Sequence, residues 1–209
     1  MASARSKEIH MSTERQLKVV GLSGALSSPS RTTTLVSTFL DKFSTLTSAQ
    51  VSLLTVAELA PVLAQTLDPR QAPAQLQQAI DSLAQADILV ISSPVYKGSY
   101  TGLFKHFIDL LDPKLLKNKI VILSATGGTD LHGLVLEHQL RPLFSFFGAL
   151  TVPTTLYLRD SELVKDESQQ YLWLTAEPLQ RIDAIVRQSL LLATGQKSFA
   201  VAPSQTAAA

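Results

Sequence analysis

Five short apolar runs, Leu17–Leu22, Val51–Val56, Ile88–Ile91, Ile120–Leu123 and Leu150–Leu158, alternate along the chain with segments of helical period. The helical segments are 31–46, 73–86, 101–112, 130–148 and 175–193. In 101–112, Leu103, Phe104, Phe107, Ile108 and Leu111 recur at spacings of three and four, with Lys105, His106 and Asp109 on the opposite side. Strands that are apolar on both faces belong in a parallel sheet covered by helices. Five β/α repeats with right-handed crossovers predict an α/β, doubly wound domain. No internal repeat and no second domain can be read. The stretch 57–72 is a longer connection with room for a short helix or a lid.

Composition excludes several classes of function. Eighteen basic against 17 acidic residues leave a net charge of +1, so there is no electrostatic footprint for nucleic acid and no polybasic membrane patch. No apolar stretch approaches the roughly 20 residues of a membrane span. The absence of cysteine removes disulfides, thiol catalysis and thiolate metal sites, and fits a reducing compartment such as the cytoplasm. Residues 1–10 have no apolar signal core and precede a second methionine, Met11. Residues 1–16 are therefore expected to be a tag or a disordered N-terminus, 17–194 the folded domain, and 195–209 a flexible tail.

In doubly wound sheets, ligands sit beyond the carboxyl ends of the strands. Three loops there are rich in chemistry. The first, SGALSSPSRTTT (23–34), carries hydroxyls at Ser23, Ser27, Ser28, Ser30, Thr32 and Thr33, with Arg31, at a helix entrance. Free amides and the positive helix end suit a phosphate there, although one hydroxyl of this kind is also what ordinary N-capping requires. The second, SSPVYKGSY (92–100), supplies Pro94, Val95, Tyr96, Lys97, Ser99 and Tyr100. The third, ATGGT (125–129), contains Thr126, Gly127 and Gly128, which suit either a tight turn or close approach of backbone to a flat ligand. Together they suit a ligand with a phosphate at one end and a planar polar ring at the other.

Other chemistries find no support. There is no GxGxxG or Walker sequence, and GLSGA (21–25) lacks the final glycine of a nucleophile elbow. The four histidines have no HExxH spacing, so no metal site is expected. His106 reads as a surface helix residue, and Tyr171 and Trp173 as core packing rather than a subunit contact.

The segment PVYKGSYTGLFKHFID (94–109) resembles the flavin-ring loop and following helix of the NAD(P)H-dependent FMN reductases, a flavodoxin-like group. Ser30, Thr32 and Leu35 fit the phosphate-loop spacing of that family, and ATGGT its second ring loop; the likeness covers roughly residues 17–185. It departs at SGAL (23–26), where many members have Gly-Ser-x-Arg, and Arg31 can supply the missing charge. The resemblance implies a five-stranded parallel sheet in the order 2-1-3-4-5 with helices on both faces. It implies FMN as cofactor and NADH or NADPH as hydride donor. The cofactors contain all the reacting atoms, so no catalytic side chain is expected. Backbone amides around Tyr96–Lys97 and Thr126–Gly128 are expected to stabilise charge on reduced flavin. The likeness is greatest to the reductase components of two-component alkanesulfonate and methanesulfonate monooxygenases, which implies a flavin-dependent sulfonate monooxygenase as partner and a homodimer or homotetramer. The rival expectations are a quinone, azo or metal-oxyanion reductase that retains FMN, and a flavodoxin-like electron carrier.

Within LHGLVLEHQLRPLFSFFG (131–148) the apolar face slips. Leu131, Leu134 and Val135 share one face, and Leu140, Leu143, Phe144 and Phe147 share another, rotated by about one residue. Pro142 offers no N–H to the His138 carbonyl. A one-residue π-turn or a proline kink would each account for this. The family resemblance implies the π-turn, with His138 as the inserted residue at an oligomer interface.

Overall fold

The computed structural model describes residues 16–200, with side chains described through residue 195. The expected disordered N-terminus at residues 1–15 and the end of the expected tail at 201–209 lie outside the described residues.

The chain begins with β1 (Lys18–Ser23), α1 (Arg31–Leu46), β2 (Gln50–Thr55), α2 (Val56–Leu63) and α3 (Ala74–Gln85). It continues through β3 (Ile88–Pro94), α4 (Gly102–Asp109), β4 (Ile120–Gly127) and α5 (Arg141–Phe146). After β5 (Leu150–Thr151) and β6 (Leu156–Arg159), a hairpin of β7 (Leu163–Lys165) and β8 (Tyr171–Trp173) precedes α6 (Glu177–Ala200). The main sheet runs β2-β1-β3-β4-β5 with parallel neighbours, the expected order.

Alternation along the central strands builds two cores. Leu89 and Ile91 of β3 and Val121, Leu123 and Ala125 of β4 face α2, α3, α4 and α5. Ile88, Val90, Ile120 and Ile122 face α1 and α6. α1 contributes Leu35, Val36, Phe39 and Phe43, all fully buried. This fixes its N-terminus over the carboxyl ends of β1 and β3, where the site forms. Among the described residues, no helix is long and apolar enough to cross a membrane.

The expected elements differ from the structure in several places, the β7–β8 hairpin among them. The fifth strand is split: β5 pairs with Ile120–Val121, while β6 pairs with Ser124–Gly127. Pro153 lies in the gap, where it has no N–H for a ladder. The 57–72 connection, by contrast, carries the short helix it had room for, α2, followed by a 3₁₀ turn, Pro69–Gln71. The segment 130–148 is not one helix: a 3₁₀ turn at Asp130–His132 and a π-helix at Leu136–Leu140 precede α5. Finally, α6 continues to Ala200, past the boundary placed at residue 194.

Candidate functional site

Ser23, Ser92 and Ser124 occupy register positions side by side on β1, β3 and β4, at the carboxyl end of the sheet face that α1 covers. The first turn of α1 is tied to this polar row. The hydroxyls of Ser23 and Thr33 share a hydrogen bond of 2.9 Å, and those of Thr32 and Thr126 one of 2.7 Å. Ser23, Thr32 and Thr126 are buried, so their side chains fasten α1 to the sheet instead of facing a ligand. Reading every hydroxyl of the loop as a phosphate donor therefore overcounts. Ser30 is the N-cap and accepts from the Thr33 amide at 3.4 Å. Leu26 to Pro29 stay exposed. Ser92 Oγ is fully buried without a hydrogen-bond partner, the one such side-chain atom among the described residues.

The three loops form one bonded unit. The Thr101 hydroxyl donates to the Gly24 carbonyl at 2.8 Å, and the Thr101 amide to Ser93 Oγ at 3.2 Å. The Gly24 amide donates to the Ser92 carbonyl, and the Val95 amide to the Thr126 carbonyl at 2.8 Å. Pro94 ends β3 and is half-buried, as is Val95. Beyond them the chain makes a tight hairpin turn: the Tyr96 amide donates to the Ser99 carbonyl, and the Ser99 amide donates back to Tyr96. Lys97 and Gly98 form its tip with φ of 53° and 80°, left-handed values that glycine adopts without strain and lysine only at a cost. Here the expected role of the Tyr96 amide needs correction, because the turn engages it. The Lys97 and Gly98 amides have no hydrogen-bond partner among the described residues. Tyr96 is 50% exposed, and Tyr100 packs against Phe104 with ring centroids 5.7 Å apart.

The third loop depends on a residue that sequence reasoning missed. The Tyr157 hydroxyl, from β6, donates to the Thr129 carbonyl at 2.6 Å. Burial first, then Asp160 and Asp130, push the Tyr157 phenol above its ordinary value, so it remains a protonated donor at neutral pH. A Cβ on Gly127 would stand 2.3 Å from that hydroxyl. Gly127 is thus small to admit Tyr157, while Gly128 is exposed and free for close approach by a flat ligand. Only the alternation of β6 hinted at Tyr157; its partner lies 28 residues away.

The π-helix lies where the apolar face slips. The Arg141 amide donates to the Leu136 carbonyl, five residues back, and His138 is exposed. Gln139 accepts from the Ser99 hydroxyl at 3.1 Å, joining this helix to the turn at 96–99. Arg141 clamps the segment: it makes a two-point pair with Glu137 and donates to the Thr151 hydroxyl and the Val152 and Pro153 carbonyls. The Arg141 hydrogen bonds hold the Glu137 carboxyl below its ordinary value. His106 is not a simple surface residue. Its Nε2 lies 3.0 and 2.8 Å from the Leu63 and Thr66 carbonyls, so that nitrogen donates and caps the end of α2. Trp173 is half-buried and donates to Thr38 of α1. Among the described residues, no cluster of three or more His, Asp or Glu side chains is arranged to hold a metal.

Residues 17–162 match the family described as NADPH-dependent FMN reductase. The chain belongs to that family. It is 41% identical over 165 residues to the NADH-dependent FMN reductase SfnF of Pseudomonas fluorescens, covering 79% of this chain and 85% of the relative. It is 44% identical over 145 residues to an FMN reductase (NADPH) of Pseudomonas aeruginosa, covering 69% and 78%. An oxidoreductase structure from Corynebacterium diphtheriae superposes with a TM-score of 0.73 at 30% identity, covering 86% of this chain and 98% of that one. The protein is an NAD(P)H-dependent FMN reductase, an oxidoreductase that uses FMN with NADH or NADPH.

The residues present fit an FMN. A buried polar row with an orphan hydroxyl lies beneath a capped helix N-terminus, and a turn with two uncommitted amides lies at the same sheet edge as an exposed glycine. The flavin supplies the hydride-accepting ring when bound. The chain's own part is to hold and orient it.

Proposed function

We propose that the FMN phosphate sits at the start of α1, bound by the backbone amides there, by Ser30 and by the Arg31 guanidinium. The ring lies between the turn at Tyr96–Ser99 and the loop at Gly127–Gly128. Phosphate at that helix end is favoured by the Arg31 and Thr32 amides, which the Ser30 cap does not engage, and by the helix dipole. The amides of Lys97 and Gly98 supply donors toward a ring that becomes electron-rich on reduction. Lys97 adds a positive charge at the tip of that turn.

We infer further that reduced FMN leaves this site and is passed to a separate flavin-dependent monooxygenase acting on alkanesulfonates or methanesulfonate, in the cytoplasm. The observation that carries this reading is exposure. Leu26–Pro29, Tyr96, Lys97 and Gly128 are all open to solvent, so the ring and phosphate loops have no cover of their own. An uncovered site suits a cofactor that exchanges. Similarity to SfnF and the sequence likeness to sulfonate-system reductases support the choice of partner. Leu131, Leu134 and Phe146, exposed on either side of the π-helix, support self-association into a dimer or tetramer across this segment.

The test places the reductase and a sulfonate monooxygenase on opposite sides of a dialysis membrane, with NADH, FMN and the sulfonate under limiting oxygen. Sulfite release across the membrane supports a diffusible product. Sulfite only when the proteins are mixed, or none, contradicts it.

A further inference from the structure

Arg31 is the first residue of α1, and its side chain is held by an element that lies past residue 162, the β7–β8 hairpin. Its Nε donates to the Leu163 carbonyl at 3.4 Å, and its guanidinium carbon lies 4.8 Å from the centre of the Tyr171 ring. Neither Nη group has an acceptor among the described residues. The same ring lies 5.5 Å from the Lys165 ammonium. Both contacts to Arg31 thus come from one hairpin, one from each strand.

The hairpin is anchored independently of Arg31. Leu163 is fully buried in the core under α1, and opposite it in register Trp173 donates to Thr38 at 3.2 Å. Thr38 lies two turns along α1 from Arg31, so the hairpin lies along the helix and reaches its first residue. The neighbouring carboxylates do not compete for the guanidinium. Glu162 bonds the Arg159 amide, and Asp166 bonds Ser168 and the Gln170 amide. A guanidinium stacked on a ring and tied by Nε keeps its remaining N–H groups free and loses rotamer freedom before any anion arrives. Without the ring, an arginine at a helix start swings through solvent and must be ordered on binding.

We propose that Tyr171 is a positioning residue: through Arg31 it makes flavin binding depend on the phosphate, so that the site prefers FMN to riboflavin. This rests on the reading that the phosphate sits at the start of α1. Removing the ring frees the Arg31 side chain, which must then be ordered on binding, a loss of about fivefold in FMN affinity. Riboflavin, which has no phosphate, loses nothing.

The experiment titrates FMN and riboflavin by fluorescence quenching into the full chain and its Tyr171→Leu, Tyr171→Gln, Tyr171→Phe and Arg31→Ala variants, each checked for folding by its thermal midpoint. The expected result is a Kd for FMN raised about fivefold in Tyr171→Leu and Tyr171→Gln, an unchanged Kd for riboflavin, and wild-type behaviour in Tyr171→Phe. Arg31→Ala should lower FMN affinity at least as far, again sparing riboflavin. If Arg31→Ala reduces the preference and the Tyr171 variants do not, the phosphate reading stands and the positioning role is overturned. If Arg31→Ala leaves the preference intact, the phosphate reading fails and takes this proposal with it. Equal weakening of both ligands in Tyr171→Leu would make the hairpin merely structural and overturn the proposal.

Discussion

The contact between Gly127 and Tyr157 permits a sharp test of how the third loop is held. A Cβ at position 127 would lie 2.3 Å from the Tyr157 hydroxyl oxygen and 3.3 Å from the ring carbon that bears it. Carbon and oxygen approach to about 3.3 Å at closest, so in Gly127→Ala the hydroxyl must retreat by about 1 Å. Its bond to the Thr129 carbonyl starts at 2.6 Å, and a retreat of that size stretches it to as much as about 3.6 Å, too long for a hydrogen bond. Losing it and crowding the strand end costs about 1–2 kcal/mol, a fall in thermal midpoint of about 2–8 °C for a chain of this size. Tyr157→Phe alone loses the bond and costs about 1 kcal/mol. In the double variant the offending oxygen is gone, and the 3.3 Å contact to ring carbon requires only a small shift. The double variant should therefore be about as stable as Tyr157→Phe, giving a coupling as large as the Gly127→Ala cost, about 1–2 kcal/mol, by thermal or urea unfolding. Costs that add to within about 0.5 kcal/mol would refute the claim that these two residues meet.

Three further expectations follow from the same geometry. Deleting His138 turns the Arg141-to-Leu136 bond from a five-residue to a four-residue step, which is an ordinary α-helical bond. It should also displace Gln139 from Ser99, weakening FMN binding or changing the assembly seen by light scattering; unchanged affinity, assembly and turnover would count against the π-helix having a role. Because Glu137 is held below its ordinary value of 4.5 in the folded chain, its pair with Arg141 stabilises above that pH and the benefit is lost as pH falls through the lowered value. Glu137→Gln should then be less stable than wild type by about 0.5–1 kcal/mol at pH 7, with the gap closing in acid; a gap independent of pH would contradict it. Ser99→Ala, which leaves Gln139 without its donor, should raise the KM for FMN by about two- to fivefold and spare that for NADH. An effect confined to NADH would refute its assignment to the ring loop.

The sheet was legible in the sequence because each central strand is apolar on both faces and each covering helix shows a clear period. The split fifth strand was not, since Pro153 divides a run whose two halves reach the same neighbour at different depths. The hairpin at 163–173 escaped for a related reason: its strands are three residues long and half of their residues are exposed. At the site, residue types marked the right loops but not the direction of each side chain. Ser23, Thr32 and Thr126 carry the hydroxyls expected of ligands, yet they bond to α1 and the sheet. Tyr157 and Tyr171 act on loops far away in the chain, and periodicity within a single strand carries no trace of such contacts. The phase slip was legible in the apolar pattern, because inserting one residue rotates everything after it, but the pattern alone did not separate a π-turn from a proline kink at Pro142.

The central claim is that FMN binds at this open edge as an exchanging partner of the reaction. The most direct measurement is the initial rate of NADH and NADPH oxidation by gel-filtered, flavin-free protein as a function of added FMN, with quinone as a parallel acceptor. The account predicts negligible rate without FMN, saturable dependence on free FMN well beyond the protein concentration, and no requirement for quinone. A rate that saturates at one FMN per chain and then depends on quinone would contradict it, as would the absence of any nicotinamide oxidation.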